Sequence, residues 1–464
     1  MDKFELGTES TGKLLFKMSL PAIIAQLINV LYNMVDRIYI GRMPECGHLA
    51  LTGVGVTMPI ILLVSAFAAL VSMGGAPRAS IMMGRQETDT AEKVMGNCFF
   101  ALIIISVILT AAVLFFGEDL LWLFGASEQT IGFAIDYLNI YALGTIAVQL
   151  SLGMNAFITG QGFAKTGMYT VAIGAVLNII LDPIFIFALD MGVRGAALAT
   201  IISQAVSAIW VIWFLSGEKT HLKLKRQYFK IERSILVPCL LLGLSPFIMQ
   251  STESILMVTF NTSLQNYGGD LAVGAMTIMM SVMQFSMLPL VGLTQGSQPI
   301  ISYNYGAGNL DRVRKAFRQL LCTSMVYSVS LWLFIMMFPQ IFAGLFTNNP
   351  ELIRFTAESM RLYMAVSLLF GIQISCQNTF IALGNAKASI FLALLRKVIL
   401  LIPLILILPQ FLPDQVSAVF LAEPVADLIA VCVTATLFTI QFKKLLSQED
   451  RAGQRTETSM EQAE

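Results

Sequence analysis

The chain has 464 residues, of which 56% are hydrophobic and only 12% are charged, and its formal net charge is zero. Soluble proteins carry about 25% charged residues, so this composition argues against a string of soluble domains. The balanced charge also argues against a nucleic-acid-binding surface. Length and composition together indicate one long membrane protein.

Long apolar segments follow one another along the whole sequence. A helix needs about 20 predominantly apolar residues to cross a bilayer, and we find twelve such segments, numbered here as spans 1 to 12. In chain order they are Leu14–Ile40, Leu49–Gly74, Val94–Phe116, Ile131–Phe157, Gly167–Leu189, Gly192–Leu215, Ile235–Asn261, Leu271–Gln295, Leu320–Phe338, Ile353–Leu383, Ser389–Leu408 and Val416–Ile440. The start, MDKFELGTES, is polar and shows no cleavable signal, so we expect span 1 to be retained as an anchor. The predicted fold class is an all-α polytopic membrane protein.

The distribution of basic residues predicts the orientation. With the N-terminus in the cytoplasm, 24 of the 29 lysines and arginines fall on the cytoplasmic side, including Lys387, Arg396 and Lys397 in the loop near span 11. Cytoplasmic loops of membrane proteins carry such an excess. We therefore predict a multi-pass protein of the cell membrane with both termini in the cytoplasm.

The two halves of the sequence resemble each other. Gly84 and Gly306, Phe124 and Phe346, and Lys165 and Lys387 occupy similar motifs, and each pair lies 222 residues apart. Six spans per half keep one orientation, which predicts a parallel repeat. We expect an N-terminal lobe (1–215), a basic cytoplasmic linker (216–234), a C-terminal lobe (235–440) and a polar cytoplasmic tail (441–464). Two lobes with a cleft between them are typical of transporters, although a channel could also repeat.

Acidic residues inside predicted spans mark candidate functional sites, because an acid at the centre of a bilayer costs about 2.5–3.5 kcal/mol on insertion scales. Asp36 ends a polar stripe in span 1. Asn178 and Asp182 are four residues apart on one face of span 5, and Pro183 follows. Two carboxylates at similar depth can share a proton, or can bind sodium together with amide and hydroxyl oxygens. The alternatives are an interfacial ion pair of Asp36 with Arg37 and a structural hydrogen bond of Asp182.

The other acids in or near the predicted spans are weaker candidates for a functional site. Asp136, at the start of span 4, is interpreted as interfacial. Glu253 follows Gln250 by about one turn in span 7 and is expected to face the cleft. Glu423 and Asp427, one turn apart in span 12, fit either helix packing or a polar cavity.

The sequence contains no motif that would indicate an enzyme or a nucleotide-driven pump. The stretch GQGFAKTG lacks the glycine before the lysine of a phosphate loop, and no strand precedes it. There is no GxSxG, and the six cysteines show no zinc or disulfide spacing. We expect no enzyme activity and no cofactor beyond a coupling ion.

Three stretches carry a specific resemblance: SLPAIIAQLINVLYNMVDRIYIGRM, LNIILDPIFIFALDMGVRGAALATIISQ and GLTQGSQPIISYNYGAGNLDRVRKAF. With them the chain resembles the multidrug and toxic compound extrusion (MATE) transporters of the bacterial efflux branch. The resemblance implies two six-helix lobes that rock about a central cavity, and an antiporter that exchanges protons or sodium for organic cations and other amphiphiles. We expect the protein to function as a monomer, and the missing nucleotide motif predicts that it binds no nucleotide. A flippase for a lipid-linked saccharide is the alternative.

The resemblance also implies site residues. Its cation site in the first lobe corresponds to Asp36, Asn155, Asn178, Asp182 and Thr200, with sodium possible at Asp36, Asn178 and Asp182. In the second lobe Glu253 resembles one acid of a pair found in sodium-linked members, whereas span 10 offers only Gln373 and Gln377 for the other. Gln250, Glu253, Gln373 and Gln377 are therefore expected to line the substrate cavity, and the first-lobe site is favoured for coupling.

Overall fold

A computed structural model describes residues 5–44 and 46–461, with side chains described as far as residue 445. Residues 1–4 of the predicted N-terminal lobe and most side chains of the predicted tail thus lie outside the described part. The described helices are α1 (Glu5–Thr8), α2 (Thr11–Gly41), α3 (Gly47–Gly84), α4 (Thr88–Leu123), α5 (Ile131–Leu143), α6 (Thr145–Gly160), α7 (Ala164–Pro183), α8 (Gly192–Ser216), α9 (Arg233–Gly306), α10 (Leu310–Met337), α11 (Pro339–Gly344), α12 (Pro350–Tyr363), α13 (Phe370–Ala382), α14 (Ala386–Leu394), α15 (Ile402–Phe411) and α16 (Gln415–Glu461). Short π-helical turns, Ile184–Ala188 and Leu395–Leu401, follow α7 and join α14 to α15.

The predicted all-α membrane fold with twelve spans is confirmed. Spans 4 and 10 are each broken into two helices, α5–α6 bent by 58° and α12–α13 bent by 49°. Helix α9 has 74 residues, which at about 1.5 Å per residue is far longer than a bilayer is thick. Its backbone breaks at Gly269, where φ is 62° and ψ is −159°, a conformation that favours glycine. Spans 7 and 8 therefore lie on either side of Gly269.

The outer faces of the helices are apolar and exposed. Phe115, Phe116 and Val107 on α4 expose 81%, 61% and 60% of their surface. Polar backbone groups at this depth are satisfied within the helices, as a bilayer requires. Such faces suit contact with lipid tails.

The two halves meet along α2, α3 and α9, near one end of the bundle. There the helices approach so closely that side chains would not fit. A Cβ atom built on Gly84 would lie 2.1 Å from the Tyr303 carbonyl oxygen, and one built on Gly306 would lie 2.0 Å from the Ile81 carbonyl oxygen. These are the two glycines that the sequence repeat pairs, so the repeat places its own equivalents at the contact between the halves.

The first described residues lie across this same contact. Leu6 is buried, and its carbonyl accepts hydrogen bonds from Asn304 Nδ2 (2.9 Å) and Arg312 Nη2 (3.1 Å) of the second half. Leu6 also lies beside Gly162 of the first half. We call residues 5–9 the N-terminal strap, because they contact both halves at the end of the bundle where the halves meet.

Candidate cation site and second-lobe ion pairs

Helices α7 and α8 bring the predicted polar residues of spans 5 and 6 together. Asp182 is fully buried, and Asn178, one turn earlier, donates from Nδ2 to Asp182 Oδ1 (3.2 Å). The same amide lies 3.4 Å from Thr200 Oγ1 on α8. The Asp182 carboxylate, the Asn178 amide and the Thr200 hydroxyl thus form one polar cluster between the two helices.

Asp36 joins this group from α2. It is 9% exposed, and its carboxylate lies within hydrogen-bonding reach of the Asp182 carboxylate. Arg37 points outward and is exposed, and within the described part of the chain no ion pair links it to Asp36. The geometry therefore favours the buried carboxylate pair over the interfacial ion pair with Arg37.

The group offers oxygen atoms that lack donors. Asp36 Oδ1, Asn178 Oδ1 and Asp182 Oδ2 are buried and have no hydrogen-bond partner among the described residues. Buried polar atoms are normally satisfied, so three such oxygens side by side need an explanation. Small hard cations take carboxylate and amide oxygens as ligands, and a proton can be shared between two carboxylates. The oxygen set fits either a proton or a sodium ion.

Proline at position 183 shapes the chain beside the acid. It ends α7 directly after Asp182, and the π-helical turn Ile184–Ala188 follows. Because proline has no N–H, the carbonyl four residues earlier loses its helical donor. The irregular turn therefore lies next to the buried carboxylate, as the LDP motif indicated.

Two tyrosines of this region were missed in the sequence. Tyr32, four residues before Asp36 on α2, faces both Asp36 and Asp182. Tyr137 on α5 is buried and lies within hydrogen-bonding reach of Thr200. The spacing of four between Tyr32 and Asp36 was a usable signal. Nothing in the sequence placed Tyr137 there, because α5 lies far from α8 in the chain.

Asn155 is not brought to the carboxylate pair. It lies near the end of α6, where its Nδ2 donates to the carbonyl of Gly167 (3.2 Å). Gly167 lies near the start of α7 and Asp182 near its end, about 22 Å apart at about 1.5 Å per residue. Asn155 and the carboxylate pair thus lie at opposite ends of α7.

In the second lobe the structure corrects the predicted position of two basic residues. Arg396 and Lys397 do not lie in a loop; they are 8% and 6% exposed within the π-helical turn between α14 and α15. Lys397 Nζ donates to Glu253 Oε1 (2.7 Å). Arg396 Nε donates to Asp427 Oδ1 (2.6 Å). A buried cation needs such partners, because desolvating an unpaired charge is costly.

The predicted cavity residues of the second lobe fall into two environments. The Glu253 side chain is 48% exposed, and Gln250 is half-buried on the same helix. Gln373 and Gln377 on α13 are 2% and 4% exposed. Gln377 Nε2 lies 3.3 Å from Ser245 Oγ, so these glutamines lie in a helix–helix contact and not on an open surface.

Comparison with known proteins gives a consistent result. Residues 21–184 and 246–407 each match the MatE family, one match in each half. The multidrug export protein MepA of Staphylococcus haemolyticus is 24% identical over 94% of this chain and 95% of its own. MepA of Staphylococcus aureus strain N315 is 25% identical over 92% of this chain and 94% of its own.

Solved structures share the fold. A MATE protein in a bent conformation superimposes with a TM-score of 0.90 at 23% identity, covering 97% of this chain and 99% of its own. A MOP superfamily transporter from Pyrococcus furiosus Vc1, described as having a binding pocket of reverse polarity, superimposes with a TM-score of 0.88. It is 22% identical, and the match covers 96% of this chain and 99% of that one. With two family matches that together span most of its length, the chain belongs to the MatE family and is a multi-pass membrane transporter.

Proposed function

We propose that this chain is a cation-coupled antiporter that exports organic cations and other amphiphilic drugs, and that the Asp36–Asp182 pair is its coupling site. The observation that carries the proposal is the set of three buried oxygens without donors on Asp36, Asn178 and Asp182. Among the described residues no basic side chain forms an ion pair with either carboxylate. Apart from the charge of the neighbouring, exposed Arg37, their charge would be balanced by a cation that enters from outside.

The same site can serve a proton or a sodium ion. A proton would be shared between the two carboxylates, which already lie within hydrogen-bonding reach. Sodium would be held by Asp36, Asp182 and the amide oxygen of Asn178, with Thr200 adjacent. Either ion removes repulsion between two buried like charges, so its binding stabilises the arrangement described here.

Alternating access would follow from the contact between the halves. The glycine contact and the N-terminal strap close one end of the bundle, and the basic loops favour that end as cytoplasmic. The conformation described here would then open outward, in the cell membrane, with both termini inside. Drug and coupling ion need to favour opposite-facing states for exchange to occur.

The test is dye efflux from proteoliposomes. Purified protein is reconstituted with ethidium, and a proton gradient and a sodium gradient are imposed separately on wild type, Asp36→Asn and Asp182→Asn. We expect one gradient to drive efflux in wild type and each substitution to remove that dependence, because each takes away one of the two charges that bind the ion.

Asp136→Asn is the matched control. Asp136 is a partly exposed acid of the same lobe, paired with Arg194 at 2.8 Å, and lies outside the buried group. It should pump like wild type. If folded Asp36→Asn and Asp182→Asn also pump like wild type, the coupling assignment is wrong. If wild type moves no dye under either gradient, drug export itself fails and transport of a lipid-linked saccharide becomes the next reaction to assay.

A further inference from the structure

The second lobe contains a group of charged side chains whose charges do not balance. Three carboxylates, Glu253, Glu423 and Asp427, face two cations, Arg396 and Lys397. Glu423 and Asp427 on α16 are 4% and 3% exposed. With every member ionised the group carries one uncompensated negative charge inside the lobe, which is costly at membrane depth.

Hydrogen bonding identifies the carboxylate that is least compensated. Glu253 has Lys397 at 2.7 Å, and Asp427 has Arg396 Nε at 2.6 Å. Glu423 has only a 3.4 Å contact with Arg396 Nη2, although it is among the most buried members. Charge-assisted hydrogen bonds are normally about 2.7–2.9 Å long, so Arg396 forms its stronger hydrogen bond with Asp427 and only a weak contact with Glu423.

Charged and titratable groups reach Glu423 from four elements of the second lobe. The charged or titratable groups that face it are Asp427 on its own helix, Arg396 and Lys397 between α14 and α15, Glu253 on α9 and Tyr363 on α12. The Arg396 guanidinium also lies over the Phe370 ring, 5.5 Å from its centre. Neither cation is free to move to Glu423 without leaving another carboxylate unpaired.

We propose that Glu423 is a second proton-binding site of this protein, located in the second lobe. The proton neutralises the surplus charge, and the five-residue group is then electrically balanced. In wild type this proton is exchangeable, because Glu253, a half-exposed member of the same group, can accept a positive charge from outside.

The exchange can be stated with balanced charge. When an organic cation binds the Glu253 carboxylate, the group gains one positive charge and the Glu423 carboxyl releases one proton to water. When the organic cation leaves, Glu423 takes the proton back. This second step rests on the proposed drug export, whereas the protonation of Glu423 does not.

Infrared spectroscopy tests the proton directly, without transport. The variants are made in an Asp36→Asn, Asp182→Asn background, so that the buried carboxylate pair of the first lobe contributes no carboxyl signal. At neutral pH we expect the carbonyl stretch of a protonated carboxylic acid, its loss in Glu423→Gln, and its shift to another frequency in Glu423→Asp. Asp427→Glu is the matched control and should leave the band in place.

Ethidium addition to the same samples tests the exchange. We expect the band to fall and a proton to appear in weakly buffered solution, and we expect neither change in Glu423→Gln or Glu253→Gln. A spectrum without the band, or a band that shifts in Asp427→Glu and not in Glu423→Asp, overturns the proton assignment. A band that ignores ethidium overturns the exchange alone. Proteoliposomes that move no drug while the band behaves as expected would defeat the proposed function and leave the proton site standing.

Discussion

The glycine contact between the halves makes this conformation sensitive to a single methyl group. In Gly84→Ala the added carbon would lie 2.1 Å from the Tyr303 carbonyl oxygen, and in Gly306→Ala 2.0 Å from the Ile81 carbonyl oxygen. Both neighbours are backbone atoms within long helices, so neither can turn aside as a flexible side chain would. The helices themselves must move apart.

The size of the effect follows from the cost of overpacking. Inserting a methyl group into a tightly packed contact costs about 1–3 kcal/mol. In the proposed opposite-facing state these helix ends would separate and the cost would be absent, so the equilibrium between the two states should shift by about 5–150-fold away from the one described here. Each substitution should therefore populate the state in which the halves part at this end.

Distance measurement by electron paramagnetic resonance reports this shift. Spin labels at Glu87→Cys and Asp311→Cys, both exposed beside the two glycines, are introduced after the six native cysteines have been replaced. We expect a short distance to predominate in the unsubstituted background and a longer one in Gly84→Ala and Gly306→Ala. Gly55→Ala on the same helix as Gly84 is the control, because no atom lies within 4 Å of its added carbon. If the glycine variants keep the short distance of Gly55→Ala, the contact does not restrain the halves and the reasoning is refuted.

Three further predictions concern contacts at the same end of the bundle. Arg312→Gln should release the N-terminal strap, seen as faster proteolysis of the first residues, because Arg312 donates to two strap carbonyls; unchanged proteolysis would contradict this. Glu92→Ala should lower the melting temperature, because it removes the buried carboxylate that accepts from the Lys223 N–H and pairs with Lys225, at a cost of about 1.5–3 kcal/mol, and Glu87→Ala, exposed near the start of the same helix, should not. Cys98 and Cys239, on opposite halves and within hydrogen-bonding reach, should form a disulfide on mild oxidation, which should stop transport until it is reduced; mass spectrometry detects the bond, and full activity of the oxidised protein would sink the idea.

Much of the fold could be predicted from hydropathy alone. Each span needs a run of apolar residues of fixed length, so all twelve could be located. Their ends were less accurate, since α3 continues to Gly84 beyond the predicted Gly74 and α10 begins at Leu310 before the predicted Leu320. The breaks were harder to predict. Span 4 bends at Gly144, which hydropathy does not register. Spans 7 and 8 join without a loop at Gly269, because helical hydrogen bonding resumes directly after a single glycine with a positive φ.

The first-lobe site could be predicted in part because it is mostly local. Asn178 and Asp182 share one face of one helix, so their spacing alone places them together. Asp36 falls late in span 1 and Asp182 late in span 5, and both spans cross the membrane in the same direction, so the two acids are predicted to lie at a similar depth. Asn155 was included through the resemblance, and the antiparallel course of α6 and α7 puts it beside Gly167 instead.

The second-lobe ion pairs could not be predicted, since they depend on contacts between distant helices. Arg396 and Lys397 lie within span 11, yet the count of basic residues assigned them to a loop, because that count assumes that cations avoid the membrane. The assumption fails where an acid from another helix faces each cation, here Asp427 from α16 and Glu253 from α9. Such pairing across helices leaves no mark in the local sequence.

The two lobes thus share a fold and differ in how they hold buried charge. In the first lobe the buried oxygens of Asp36 and Asp182 lack donors, and among the described residues neither carboxylate forms an ion pair, although the charge of the exposed Arg37 acts on Asp36. In the second lobe Arg396 and Lys397 supply most of the compensation internally and leave a deficit of a single charge. The repeat therefore combines one half whose buried carboxylate pair has no ion-pair partner among the described residues with one whose buried charges are mostly paired internally. Under the two proposals made above, the first half would bind the coupling ion and the second would respond to a cationic drug.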